Sequence, residues 1–117
     1  MDAIVNTVIH LSSSDPVTHE SVVGNVRNLL ADESLSNDAV ALVANGGGVS
    51  LFAADAPQRE RVAALAEEDV ALKACGNTLV GGDLAKEDLV DAVEIVPSGI
   101  GEVARLQSEE DYAYFEA

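Results

Sequence analysis

Ala39-Val40-Ala41-Leu42-Val43-Ala44-Asn45-Gly46-Gly47-Gly48 is the stretch on which the fold turns. Six apolar residues run without a polar break and then stop at Asn-Gly-Gly-Gly. A short continuous apolar run bounded by turn residues fits a strand covered on both faces, as in a parallel sheet flanked by helices. Working outward, Ala3 to Leu11 is dense in Ile and Val and is broken by Ser12-Ser13-Ser14-Asp15-Pro16, so it reads as strand one. Val22, Val26, Leu29 and Leu30 recur at helical spacing and predict a helix over Val17 to Asp32, with Thr18 as N-cap. After Ala39–Ala44, a short helical piece is expected near Val49 to Ala54. Asp55-Ala56-Pro57 then opens a second helix through Glu67, with Pro57 in its first turn.

Strand three is expected at Asp69 to Cys75, where Val70-Ala71-Leu72-Lys73-Ala74-Cys75 alternates and runs into a Gly76-Asn77-Thr78 turn. Lys86 to Asp91 predicts a short helix and Val93 to Val96 strand four. Ser98-Gly99-Ile100-Gly101 starts a last helix through Glu109, its apolar positions Ile100, Val103, Ala104 and Leu106. Tyr112-Ala113-Tyr114-Phe115 reads as a terminal fifth strand. Strands separated by helical segments over 117 residues predict one α/β domain, residues 1–117, with a parallel sheet and right-handed crossovers.

Composition narrows the function. Hydrophobic residues make up 48% of the chain, enough for a core. That core must be aliphatic, since Trp is absent and the aromatics are Phe52, Tyr112, Tyr114 and Phe115. Asp and Glu number 21 against 6 Lys and Arg, for a net charge of −15. The acids are scattered rather than gathered in a tail. Such a surface either meets a specific ligand or stays solvated in molar salt, where the Debye length falls to about 3 Å. The scatter favours the second, a halophilic source. Phosphate contacts need clustered cations, so nucleic acid and anionic membrane surfaces are not expected partners. The N-terminus, Met1-Asp2-Ala3-Ile4-Val5-Asn6, has no basic region of a secretory signal, and no apolar run approaches a membrane span. A single cysteine forms no intrachain disulfide and no cysteine-rich metal site. It fits a reducing, cytoplasmic compartment.

Four breaks follow strand ends: Ser12-Ser13-Ser14, Asn45-Gly46-Gly47-Gly48, Cys75-Gly76-Asn77-Thr78 and Pro97-Ser98-Gly99. In a parallel sheet they share one edge, where ligands collect and free helix N–H groups favour anions. Cys75 there is a nucleophile or sulfur carrier, or else a small buried hydrophobe. Gly46-Gly47-Gly48 matches neither common phosphate-loop pattern and reads first as a flexible turn. His10, and less so His19, is a candidate thiol partner. Two histidines among scattered carboxylates give no metal spacing.

Val8-Ile9-His10-Leu11-Ser12, Asn25 through Asp32, Ala74-Cys75-Gly76-Asn77-Thr78-Leu79, Val96 through Glu102 and Leu106-Gln107 together resemble the DsrE/DsrF family. The resemblance implies a three-layer α/β/α, DsrE-like fold, flavodoxin-like in general layout, with a five-stranded parallel sheet ordered 4-3-2-1-5. It also implies a sulfur-relay role, in which Cys75 carries sulfane sulfur as a persulfide between donor and acceptor proteins in the manner of a sulfurtransferase. Relatives often have His-Gly where this chain has Asn45-Gly46. The substrate-contacting residues expected around Cys75 are Gly76, Asn77, Thr78, His10, Asn45, Gly46, Ser98 and Gly99. Gly76 would let a bulky sulfur substrate approach the backbone. No metal or organic cofactor is called for. With that strand order only the last helix covers one face, so the apolar central strand is expected to be under-covered there. The chain is therefore expected to form a homo-oligomer, trimer or hexamer first and dimer second. The alternatives are a non-catalytic oligomeric binding module and, more weakly, a thiol redox sensor.

Overall fold

A computed structural model describes residues 4–117. Five strands form one parallel sheet: β1 (Ile4–Leu11), β2 (Ser36–Ala44), β3 (Ala71–Cys75), β4 (Glu94–Val96) and β5 (Ala113–Glu116). Their order is β4-β3-β2-β1-β5, as the resemblance implied. Ala3, the expected start of strand one, lies outside the described residues, as does the first half of the Met1–Asn6 stretch weighed as a signal. Four α-helices connect the strands: α1 (Pro16–Ala31), α2 (Arg59–Glu67), α3 (Gly76–Gly81) and α4 (Gly99–Glu110). A 3-10 helix covers Gly46–Phe52 and a single 3-10 turn covers Lys86–Asp88.

Helix starts depart from the sequence reading for local reasons. α1 is capped by Asp15, whose carboxylate accepts from the Val17 N–H at 2.9 Å, with Pro16 at the first helical position. Thr18 is thus already inside the helix; the Asp-Pro pair is the stronger start signal. Pro57 lies in the turn ahead of α2 rather than in its first turn, and the helix begins at Arg59. Gly76-Asn77-Thr78 is not a bare turn, because α3 begins there.

Parallel pairing puts Val8 beside Ala41 and Ile9 beside Leu42, so the two faces of the sheet separate cleanly. Ile9, Leu11, Leu42, Ala44, Leu72 and Ala74 pack with α1, α2 and the 3-10 helix, whose Phe52 is fully buried. On the other face α4 alone lies across the sheet, with Val103 and Leu106 on Val8, Ala41 and Val43. One helix suffices. Ala41 and Val43 are buried, so the expected bare central strand is not found. Burying a valine such as Val43 contributes about 1.5–3 kcal/mol. Ile100 and Ala104, expected on the packed side of α4, face solvent instead. The large apolar residues left exposed are Val80 of α3 (90% exposed), Val17 of α1, Ile100 of α4, and Ile4, Tyr114 and Phe115 at the β1–β5 margin.

Candidate functional site around Cys75

The carboxyl ends of β1, β2, β3 and β4 meet at one edge, and Cys75 ends β3 there. Its side chain shares a face with Lys73, toward α4. The residue is buried, with 6% of its surface exposed. Cys75 is also the N-cap residue of α3. Its side chain closes no cap hydrogen bond of ordinary geometry, yet the unpaired N–H groups of the first turn surround it.

Two opposing effects set its ionisation. Burial acts most strongly and pushes the thiol up. The donors nearest the sulfur, the Gly99 N–H first, then the Thr78 hydroxyl and the N–H groups of Thr78 and Asn77, favour the thiolate, and together these prevail. The thiol ionises below its ordinary value.

Each donor is held by structure around it. Ser98 caps α4, its hydroxyl accepting from the Gly101 N–H at 3.0 Å, which aligns the free N–H groups of that helix start. Ser98 therefore serves the helix, and its hydroxyl is already engaged. Gly99 is wedged between β2 and β3: a Cβ there would lie 3.2 Å from the Cβ atoms of both Asn45 and Cys75. Thr78 Oγ1 accepts from the Gly46 N–H at 2.9 Å, leaving its own proton for sulfur. Glu102, in the first turn of α4, binds Lys73 of β3 and accepts from Arg105 at 2.8 and 3.0 Å. The Arg105 guanidinium, and then Lys73, hold its carboxyl down at about 2 against the opposing effect of burial. This ion pair ties the start of α4 to the strand that carries Cys75.

Asn45 and His10 form a second layer. His10 Nε2–H donates to Asn45 Oδ1 at 2.8 Å, and the Tyr114 hydroxyl donates to His10 Nδ1 at 3.2 Å. Burial and then Glu116 raise the Tyr114 phenol, so it stays protonated and donates. Both imidazole nitrogens are thereby engaged, and the path from His10 to Cys75 runs through Asn45 beside Gly99. His19 is elsewhere: its Nε2–H donates to the Ser13 carbonyl at 2.6 Å, on the α1 side of the sheet.

The glycines have packing reasons. A Cβ on Gly48 would sit 2.1 Å from the Leu11 carbonyl oxygen, so this run closes against β1 and leaves no phosphate cradle. A Cβ on Gly76 would meet the Val96 carbonyl oxygen at 2.9 Å. The space beside Gly76 is taken by β4 rather than open to a sulfur substrate. A cleft of about 760 Å³ lies on the α1 side of the same edge. Gly46 and Thr78 line it, while Cys75 does not. Among the described residues no three His, Cys, Asp or Glu side chains gather as a metal site. No helix there is long and apolar enough to cross a membrane.

Two functional contacts escaped the sequence reading. Lys73 is a lone cation in an apolar strand, two residues before Cys75 on the same face, and that isolation signals a buried ion pair. The His10–Tyr114 contact needs β5 paired in parallel beside β1, which places His10 opposite Glu116.

Comparison with known proteins agrees with this architecture. Among solved structures, the protein of unknown function MTH1491 from Methanobacterium thermoautotrophicum superposes with a TM-score of 0.88 at 32% identity, covering 97% of this chain and 99% of that one. No curated protein matches the chain. The family model described as DsrE/DsrF-like matches residues 6–115, nearly the whole sheet and every residue around Cys75, and the chain belongs to the DsrE/DsrF-like family.

Proposed function

We propose that this protein is a cytoplasmic sulfur carrier in which Cys75 holds sulfane sulfur as a persulfide. The observation that carries the reading is the place of Cys75, at the carboxyl end of β3, at the N-cap of α3 and packed against Gly99 at the start of α4, where the nearby donors favour the thiolate. The Cys75 thiolate attacks the outer sulfur of a donor persulfide, R–S–SH. The donor S–S bond breaks, R–S⁻ leaves, and Cys75–S–SH forms. An acceptor thiolate then takes the outer sulfur and returns Cys75 as thiolate. The same donors that steady the thiolate would steady the anionic persulfide, with Asn45 and His10 behind them. Sulfur donor and acceptor proteins are the partners this scheme requires. No metal or organic cofactor enters it.

The test is intact mass after reduced protein meets a polysulfide, for wild type and Cys75→Ser. A gain of one or two sulfur atoms in wild type alone supports the carrier. No gain in either protein defeats it.

One observation favours a second reading. Cys75 is buried and the large cleft beside it is lined by other residues. In that reading the chain is a non-catalytic binding module and Cys75 only packs. In either reading we place the protein in concentrated salt, where its 21 acids against 6 basic residues stay solvated. Self-association, as trimer or hexamer before dimer, would use the margin around Ile4, Tyr114 and Phe115, since α4 already covers the central strand. Light scattering in molar salt decides it, and a clean monomer removes the oligomer from the account.

A further inference from the structure

The cleft on the α1 side has the volume of a small-molecule site, a class that spans about 300–1,000 Å³. Its walls are mostly apolar, with Val17 of α1 and Pro57 before α2 on one side and Leu79 and Leu84 from α3 and the loop beyond on the other, over the buried Val49 and Leu51 of the 3-10 helix. The loop is held in place: the Ala54 N–H donates to the Asp88 carbonyl at 2.8 Å and the Val90 N–H to the Phe52 carbonyl at 2.9 Å. The cleft is thus a built feature of the fold.

Its charges are all of one sign. Glu20 of α1, Asp55 of the loop before α2 and Asp83 after α3 each contribute a carboxylate; neither Lys nor Arg lines the space, and the one histidine there, His19, is buried with its Nε2–H turned to the Ser13 carbonyl. An anion, whether phosphate, nucleotide or carboxylate, would enter against three like charges with no counter-ion. A bare metal ion lacks a coordinating set, since the carboxylates come from three separate elements and do not converge. What remains complementary is an apolar body with a positively charged organic head.

We propose that this cleft binds an organic cation of that type. Its alkyl or aryl body would lie against Val17, Pro57, Leu79 and Leu84, with an ammonium group at the acidic rim. This deepens the binding-module reading by naming the ligand class. It is independent of sulfur transfer, because the cleft meets the surroundings of Cys75 only through Gly46 and Thr78.

The test is calorimetry on the full chain in molar salt, where diffuse attraction to a −15 surface is screened and only contact pairs survive. The probes are octyltrimethylammonium, octanoate and octanol, each below its micelle concentration. The expected result is saturable one-to-one binding of the ammonium probe, weaker binding of octanol and none of octanoate. The Asp55→Asn/Asp83→Asn variant should weaken the ammonium probe several-fold, and the distant pair Glu67→Gln/Glu109→Gln should leave it unchanged. Ser50→Trp, at an exposed lining position, should abolish binding while the circular dichroism stays native. Octanoate binding as tightly as the ammonium probe overturns the proposal. So does equal weakening by the two carboxylate pairs, or no saturable heat with any probe. A null result here leaves the mass test on Cys75 untouched, and a null mass test leaves this one untouched.

Discussion

Replacing Gly99 by Ala puts a methyl group where the structure has none to spare. The new Cβ would stand 3.2 Å from the Cβ atoms of Asn45 and Cys75 at once. Both neighbours are attached directly to strand backbone and cannot rotate away, so α4 must back off by a few tenths of an ångström. Overpacking of this kind costs about 1–3 kcal/mol. At about 4 °C per kcal/mol for a domain of this size, the melting temperature should fall by several degrees. The same retreat draws the Gly99 N–H away from the sulfur. A hydrogen bond to a charged group contributes about 1.5–3 kcal/mol, so even the low end lowers the thiolate population at neutral pH roughly tenfold. The assay is the pH dependence of Cys75 alkylation by iodoacetamide, read beside thermal melts followed by circular dichroism. Gly81→Ala is the control, because a Cβ there has nothing within 4 Å. The reasoning fails if Gly99→Ala alkylates at the wild-type rate across neutral pH.

Three other outcomes follow from the same structure. Glu102 is held down at about 2 in the folded state against an ordinary 4.5, so its contribution is complete above pH 4.5 and is lost as pH falls toward 2. At 1.36 kcal/mol per unit, reduced by roughly half because its main partner Arg105 is 42% exposed and screened by solvent, the loss is about 1–2 kcal/mol. Unfolding free energies from urea titrations at neutral and acid pH should differ by that much more in wild type than in Glu102→Gln, and equal differences would refute the assignment. Gly48→Ala, with its Cβ driven to 2.1 Å from the Leu11 carbonyl oxygen, should not yield a folded protein in soluble expression trials; a native melt would show that β1 and the 3-10 helix can part cheaply. Raising KCl to molar levels should raise the melting temperature, since the −15 charge repels itself in dilute buffer; an unchanged or falling value would remove the halophilic reading.

The first four strand signals were legible because each is short, carries apolar residues and runs into a break at Ser12, Asn45-Gly46, Gly76 or Pro97. Ala39–Ala44 in particular admits little else, and the observed strand only adds Ser36-Asn37-Asp38 at its open end. The order of the strands came from the family resemblance, since periodicity says nothing of which strand neighbours which. Helix starts were less legible where two signals compete: Asp15-Pro16 outranks Thr18, and Pro57 ends in a turn because Ala56 and Gln58 set the first bonds of α2. Around Cys75, sequence spacing pointed to Gly76, Asn77 and Thr78. The tertiary contacts supplied Gly99 as a donor and Lys73–Glu102 as the tie that holds it. Those depend on α4 crossing the sheet, which no local pattern records. Ile100 and Ala104 show the same limit, since helical spacing alone does not say how wide a stripe a single covering helix buries.

The most direct test is the ionisation of Cys75 itself, measured as the far-ultraviolet thiolate absorbance of wild type minus Cys75→Ser across pH. The account predicts half-ionisation below the value of an ordinary cysteine, about 8.5. A midpoint at or above that value would mean that burial outweighs the donors from Gly99, Thr78 and Asn77, and Cys75 would then be a packing residue.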